Sequence, residues 1–186
     1  MADVAYIHNR MSPDEYLAAE EAAEYKSEFV DGVVYGMAGG TPRHNSISLS
    51  LSFVLLPAIK RPCRLYMADV KVRLKKAEKS IFYYPDVWVT CTPPVPGNTF
   101  ADNPVFICEV LSPSTARTDR LEKFENYKLI DSLQEFMLVE QDVAKVALFR
   151  RSTGWAQEIF TAGEVLHLES LDFDLAISDL YARVDE

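Results

Sequence analysis

Histidine and cysteine are scarce in this chain, three of each among 186 residues, and their placement excludes several kinds of chemistry at once. His8, His44 and His167 lie far apart and no H-E-x-x-H occurs, so a zinc hydrolase built on clustered histidines is excluded. Cys63, Cys91 and Cys108 are odd in number, scattered and set in apolar surroundings. They are expected as small core residues, not as a disulfide framework or a thiolate metal site. The chain also lacks a glycine-rich phosphate loop, a G-x-S-x-G nucleophile context, internal repeats and low-complexity tracts.

Long hydrophobic runs are missing too. Charge or proline interrupts each one well short of the roughly 20 residues a membrane helix needs. The opening "MADVAYIHNRMSPDEY" lacks the basic-then-apolar order of a secretion signal, so a soluble cytoplasmic protein with no membrane partner is expected. Positive charge is in deficit: 19 Lys and Arg against 28 Asp and Glu give a formal net charge of -9. That balance argues against non-specific coating of nucleic acid, which rests on neutralising phosphates. It leaves room for a nucleic-acid enzyme, in which a bound divalent metal would supply positive charge locally.

What is present reads as a single mixed α/β domain over residues 1–186, a length and an apolar share that suit one sizeable core. Ser12, Pro13 and Glu15 form an S-P-x-E helix start with a capping box, predicting a helix from about Pro13 to Glu24. "KSEFVDGVVYG" predicts two short strands around the tight turn Asp31-Gly32. From Arg43 to about Ile59, Ile47, Leu51, Val54 and Leu55 recur at helical spacing, although the alternation of serine between Ser46 and Ser52 would also suit a strand. "CRLYMADVKVRLKK" alternates as one half-exposed strand, with Lys71, Arg73 and Lys75 on its polar face. "IFYYPDVWVTC" and "NPVFICEV" read as central strands, separated by the proline-rich loop "TPPVPGNTFAD". A helix from Thr118 to about Ile130 follows, then a run of short strands and a closing helix near Ile177 to Tyr181.

Two carboxylates stand inside the two most apolar strands, Asp86 in "YYPDVWV" and Glu109 in "FICEVL". Ionised carboxylates are rarely buried unless a counter-charge or a metal holds them, because their desolvation costs several kcal/mol. At about 100° per residue, the helix after Thr118 places Lys123 between Ile130 and Tyr127 on its apolar side, with Glu122, Glu125 and Asn126 opposite. A lysine there either snorkels at the edge of the stripe or balances buried carboxylates. Asp119 and Tyr127 flank it on the helix and are positioned to orient it, and Asp119 equally suits the helix N-terminal dipole. An Asp, a Glu and an ammonium suit a hard cation such as Mg2+ and phosphodiester hydrolysis. A two-carboxylate glycosidase leaves Lys123 unexplained.

"PDVWV", then "FICEV", then "LSPST" followed by "DRLEKFENY", resembles the Uma-two (Uma2) family of restriction-endonuclease-like proteins, a branch of the PD-(D/E)XK nuclease superfamily. The resemblance runs from "SPDEYLAAEEAAEYKSEFVDG" to "LESLDFDLAISDLY", nearly the whole chain. It implies a central mixed β-sheet flanked by helices, here with additional C-terminal antiparallel strands, and an endonuclease acting on DNA with Mg2+ or Mn2+. Asp86 matches the acid of the PD motif and Glu109 the second acid. The superfamily usually places its lysine two residues after that acid, where this chain has Leu111. The branch it resembles supplies the lysine from the following helix, and the matching residue is Lys123. Glu28 matches an early glutamate that helps hold the metal, and His44 stands where the family often has histidine. A homodimer is expected, since a duplex presents two strands. The competing expectation is a non-catalytic nucleic-acid-binding or regulatory protein that retains the fold, because no basic stripe appears beyond "VKVRLKK" and Arg117 with Arg120.

Overall fold

The structure, a computed structural model, describes residues 6–7, 10–76, 79–112, 122–182 and 184. Asp119, Arg117 and Arg120 therefore lie outside the described residues, as does the beginning of the helix expected after Thr118. The chain opens with β1 (Tyr6–Ile7) and α1 (Pro13–Ala22). The Ser12 hydroxyl accepts from the Glu15 amide while the Glu15 carboxylate accepts from the Ser12 amide at 2.8 Å, the reciprocal capping box expected. β2 (Ser27–Val30) and β3 (Val33–Gly36) form the expected hairpin. Both turn residues adopt positive φ, 48° at Asp31 and 96° at Gly32, which matches the right-handed twist of the strands.

The serine-rich segment is a helix, α2 (Pro42–Leu55). Ile47, Leu51 and Leu55 are fully buried on one stripe. Ser48 and Ser52 lie beside them at no polar cost, because each hydroxyl donates to the carbonyl four residues back. The strands that follow are β4 (Arg64–Met67), β5 (Lys71–Lys76), β6 (Lys79–Tyr83), β7 (Val87–Thr90), β8 (Phe100–Ala101) and β9 (Pro104–Val110). Then come α3 (Phe124–Tyr127), β10 (Glu135–Val139), β11 (Lys145–Arg150), β12 (Gln157–Thr161), β13 (Val165–Leu168), β14 (Phe173–Ala176) and α4 (Ile177–Tyr181).

Among the described residues the strands assemble into two six-stranded sheets and one hairpin. The first sheet runs β1-β3-β2-β6-β5-β8, the second β12-β11-β10-β9-β7-β4, and β13 pairs with β14. The second is the mixed sheet expected, since β9 and β10 run parallel at its centre and the other pairs are antiparallel. α2 and α4 pack on its outer side through Ile47, Leu51, Ile177 and Leu180. Between the sheets lies a second apolar layer that includes Val72, Ile81 and Tyr83 from one side and Trp88, Ile107 and Phe136 from the other. α1 covers the outer face of the first sheet, where Tyr16 stacks on Phe29 at 5.0 Å.

Two predicted strands each prove to be two strands in different sheets. "IFYYPDVWVTC" ends its first strand at Tyr83 and begins the next at Val87, because Pro85 has no N–H for a ladder and fixes φ. "CRLYMADVKVRLKK" breaks at a tight turn in which Asp69 and Val70 both donate to the Met67 carbonyl. At each break the chain passes from one sheet to the other. Lys71 also departs from the expected exposed face: it is 4% exposed and donates to the Tyr84 hydroxyl. The cysteines need a further correction. The pairing of Arg64 with Thr90 sets Cys63 opposite Cys91 one position on, and the two are joined in a disulfide. Only Cys108 is the buried core thiol expected. Among the described residues no helix is long and apolar enough to cross a membrane.

Burial leaves a titration signature. Desolvation raises the pKa of Tyr16, Tyr83, Tyr84 and Tyr127, pushes Tyr181 up to about 12, and raises the Cys108 thiol. In the unfolded chain these groups titrate at about 8.5 for the thiol and about 10 for the phenols. Above those values the unfolded state sheds protons that the folded state retains, so stability falls as pH rises. Lys71, lowered by burial, acts in the opposite direction but is one group against six. Urea unfolding from pH 7 to 11 is therefore expected to give a stability that begins to fall near pH 9 and falls more steeply beyond pH 10. A stability that rises across that range would contradict the burial of these groups.

Candidate active site

Strand alternation places Glu109 in the layer between the sheets, since Ile107 and Leu111 on either side of it belong to that layer. The Glu109 side chain is 4% exposed. Its Oε1 accepts from the Tyr127 hydroxyl at 2.8 Å and lies 3.5 Å from the Lys123 Nζ. Glu28 reaches the same ammonium from the first sheet: Lys123 Nζ donates to Glu28 Oε1 at 2.8 Å. The Tyr84 amide also donates to Glu28 Oε1, at 3.1 Å, because Glu28 stands on β2 just where β6 ends and the chain turns toward Pro85. One ammonium thus lies between two carboxylates, one from each sheet.

The helix that carries the lysine is docked by aromatic rings. Tyr127 meets Tyr83 edge-on at 5.3 Å and Phe136 at 5.5 Å, and Phe124 stacks on Phe136 at 5.2 Å. Asn126 donates to the Tyr83 hydroxyl at 2.7 Å. The Lys123 ammonium lies 5.2 Å from the centre of the Tyr83 ring, a favourable contact for a desolvated cation. Glu122 and Lys123 adopt the wider π-helical turn just before α3, a distortion common at functional sites. Burial, followed by the nearby Glu109 charge, raises the pKa of Tyr127, so it stays a neutral hydrogen-bond donor to that carboxylate.

Asp86 follows Pro85 one residue before β7 begins. Val87 pairs with Cys108, so Asp86 stands level with Glu109 just beyond the ladder. Its Oδ2 accepts from the Val110 amide at 2.7 Å, and His44 Nε2 lies 3.1 Å away. His44 sits in the first turn of α2, where its own amide donates to the N-cap Thr41. The structure thus brings Glu28, Glu109, Lys123 and Tyr127 into one cluster and links Asp86 with His44 in a second. The Val110 amide that Asp86 holds adjoins Glu109 in the chain. Asp119 falls outside the described residues.

The donors that face this region suit a hard cation in type: they are the carboxylate oxygens of Glu28 and Glu109, set about the Lys123 ammonium, and of Asp86, set beside His44. Among the described residues no three His, Cys, Asp or Glu side chains are grouped closely enough to enclose an ion. This is compatible with Mg2+, which is commonly held by one or two carboxylates and keeps several waters. Two cavities lie elsewhere. One of about 310 Å³ includes Arg73, Lys75, Asp102 and Ile130, and one of about 410 Å³ includes Arg73, Lys75, Asp14 and Phe100. Neither is lined by a carboxylate of the cluster.

Sequence reasoning missed Tyr83 and Tyr84, which it took only as strand residues, and Gln141. Gln141 donates to the Leu111 carbonyl at 2.7 Å and accepts from Thr41 at 2.8 Å, joining the end of the Glu109 strand to the start of the His44 helix. The signal for the tyrosines was adjacency: they directly precede the PD dipeptide. For Gln141 there was no local signal.

With that geometry in place, the chain can be set beside known proteins. Residues 13–178 match the model of the family described as "Uma2: Putative restriction endonuclease", and the chain belongs to this family, a family of nucleases by that description. Two proteins of Synechocystis sp. are similar. Uncharacterized protein slr1290 is 32% identical over 92% of this chain and 92% of its own length. Uncharacterized protein sll1609 is 37% identical over 74% of this chain and 78% of its own. The crystal structure of a putative nuclease belonging to DUF820 from Anabaena variabilis superposes with a TM-score of 0.75. It is 21% identical and covers 94% of this chain and 99% of that one, a likeness in fold.

Removing the shared ammonium leaves two carboxylates buried without it. Lys123→Met is expected to lower the unfolding free energy by about 3 kcal/mol, and adding Glu28→Gln to that variant should recover part of the loss. Urea unfolding of the two variants beside the parent, at pH 7, measures both.

Proposed function

We propose that this chain is a divalent-metal-dependent endonuclease that hydrolyses DNA phosphodiester bonds. The observation that carries the reading is the Lys123 ammonium lying between Glu28 and Glu109, with Asp86 held beside Glu109 by the Val110 amide. Asp86 and Glu109 would hold Mg2+ or Mn2+, with Glu28 as an auxiliary carboxylate. The metal would polarise the phosphoryl oxygen and lower the pKa of a bound water.

The chain's own residues supply the rest. As an ammonium between two carboxylates, Lys123 stabilises the charge that develops on phosphate; to act as the base toward the attacking water it must first pass a proton on. Tyr127 fixes Glu109 as a donor to one oxygen, and His44 and the Val110 amide orient Asp86. In the reaction the water oxygen bonds to phosphorus and a bridging P–O bond breaks. The departing oxygen takes the proton that the water gives up. Two copies of the chain acting as a homodimer would address both strands of a duplex.

The same ion pairs favour a second reading. A chain that has kept the fold as a non-catalytic nucleic-acid-binding or regulatory protein would also close its carboxylates with Lys123 and His44. Incubation of purified protein and supercoiled plasmid with Mg2+ or Mn2+ is expected to yield nicked and linear DNA. Asp86→Asn and Lys123→Met should each reduce the rate at least about 100-fold, with the circular dichroism of a folded chain. Cleavage unchanged in both variants would overturn the assignment. Calorimetry with Mn2+ that shows no binding would favour the second reading.

A further inference from the structure

Glu28 is held from behind as well as from in front. On the face of the first sheet turned away from the cluster, the Glu20 carboxylate of α1 accepts from the Ser27 amide at 2.9 Å and the Ser27 hydroxyl at 2.5 Å. It also accepts from the Tyr84 hydroxyl at 2.9 Å. That hydroxyl in turn accepts from Lys71 Nζ at 2.9 Å. Both residues that Glu20 holds bear on the site. Ser27 is the neighbour of Glu28 on β2, and Tyr84 carries the amide that donates to Glu28 and stands two positions before Asp86.

This network is more than the fold needs. Glu20 is only partly buried and could be solvated by water instead. Tyr84 and Lys71 are 5% and 4% exposed, and a lysine desolvated in this way contributes little net stability. The Lys71 ammonium also lies 5.0 Å from the centre of the Tyr84 ring. Between them, Lys71 and Glu20 fix the position of the ring and the direction of its hydroxyl, and so the backbone that leads into the Pro85-Asp86 crossing.

We propose that Glu20, Tyr84 and Lys71 form a clasp of positioning residues that sets the Glu28 and Asp86 carboxylates relative to each other. The clasp joins α1, β2, β5 and the crossing between the sheets, and it acts through the Ser27 and Tyr84 backbone without touching substrate. The proposal rests on the nuclease reading above. It adds three residues, on the opposite side of the sheet, on which catalysis depends.

Glu20→Gln and Tyr84→Phe each remove one link at nearly constant volume, and Lys71→Met provides a third variant should either fail to fold. Two measurements are made on each: exchange of the residue 84 amide by NMR, and metal-dependent DNA cleavage resolved into kcat and KM. The clasp predicts amide exchange at least about 10-fold faster than in the parent, and kcat lower by about 10- to 100-fold with KM within about twofold. Exchange that does not change overturns the clasp whatever the activity. Faster exchange with kcat unchanged reduces it to scaffolding and overturns the positioning role. Failure of the nuclease reading itself is recognised separately, because the parent protein then neither binds Mn2+ nor cleaves DNA.

Discussion

A carboxylate in the middle of a mixed sheet must find a counter-charge, and in this protein Glu109 finds it across the space between two sheets. Lys123 serves Glu109 and Glu28 together, so the helix that carries it must dock where both sheets can be reached. The rings of Tyr83, Tyr127, Phe124 and Phe136 form the dock. Glu135, on the strand next to Glu109, shows the other way of meeting the same demand. It is fully buried and accepts from two backbone amides, those of Glu169 and Ser170, as well as from the Ser170 hydroxyl and Arg150. Glu109 accepts from the Tyr127 hydroxyl and lies beside the Lys123 ammonium, which Glu28 of the other sheet also uses. Buried charge is thus met twice in the same sheet, and what sets Glu109 apart is a cation shared with a carboxylate of the other sheet.

Leu111, two residues after Glu109 and on the same side of the strand, is apolar. It belongs to the apolar layer between the sheets and is 4% exposed. Its amide donates to Val139 and its carbonyl accepts from Gln141. An ammonium at that position would have to displace apolar neighbours. Delivery from a helix lets the strand remain a core strand to its last residue.

What could be read from the sequence followed the range of the forces involved. The capping box, the Asp31-Gly32 turn and the serine-bearing helix are local and were legible. The common face of Lys123 and Tyr127 followed from helical spacing. The pairing of Glu28 with Lys123 spans 95 positions, and Glu28 could be reached only through the family resemblance. The sheet crossings at Pro85 and after Met67 were hidden because a nearly continuous apolar run spans the first break and the second lies inside a segment that reads as one alternating strand, although Pro85 was a visible warning. The burial of Lys71 and the meeting of Cys63 with Cys91 depend on register between distant strands, and no window of sequence contains that. The location of Asp86 beside His44 is of the same kind.

The order of these residues along the chain has a consequence for assembly. Glu28, Asp86 and Glu109 all precede Lys123, so the three acids leave the ribosome before the cation that neutralises two of them. The strand next to Glu109, β10, comes later still. A nascent chain that stops at Leu111 therefore holds every acid of the cluster in a half-built sheet with an open edge. The interior of the sheets closes only when the segment from Lys123 to Val139 has been delivered, which makes this segment the keystone of biosynthetic folding.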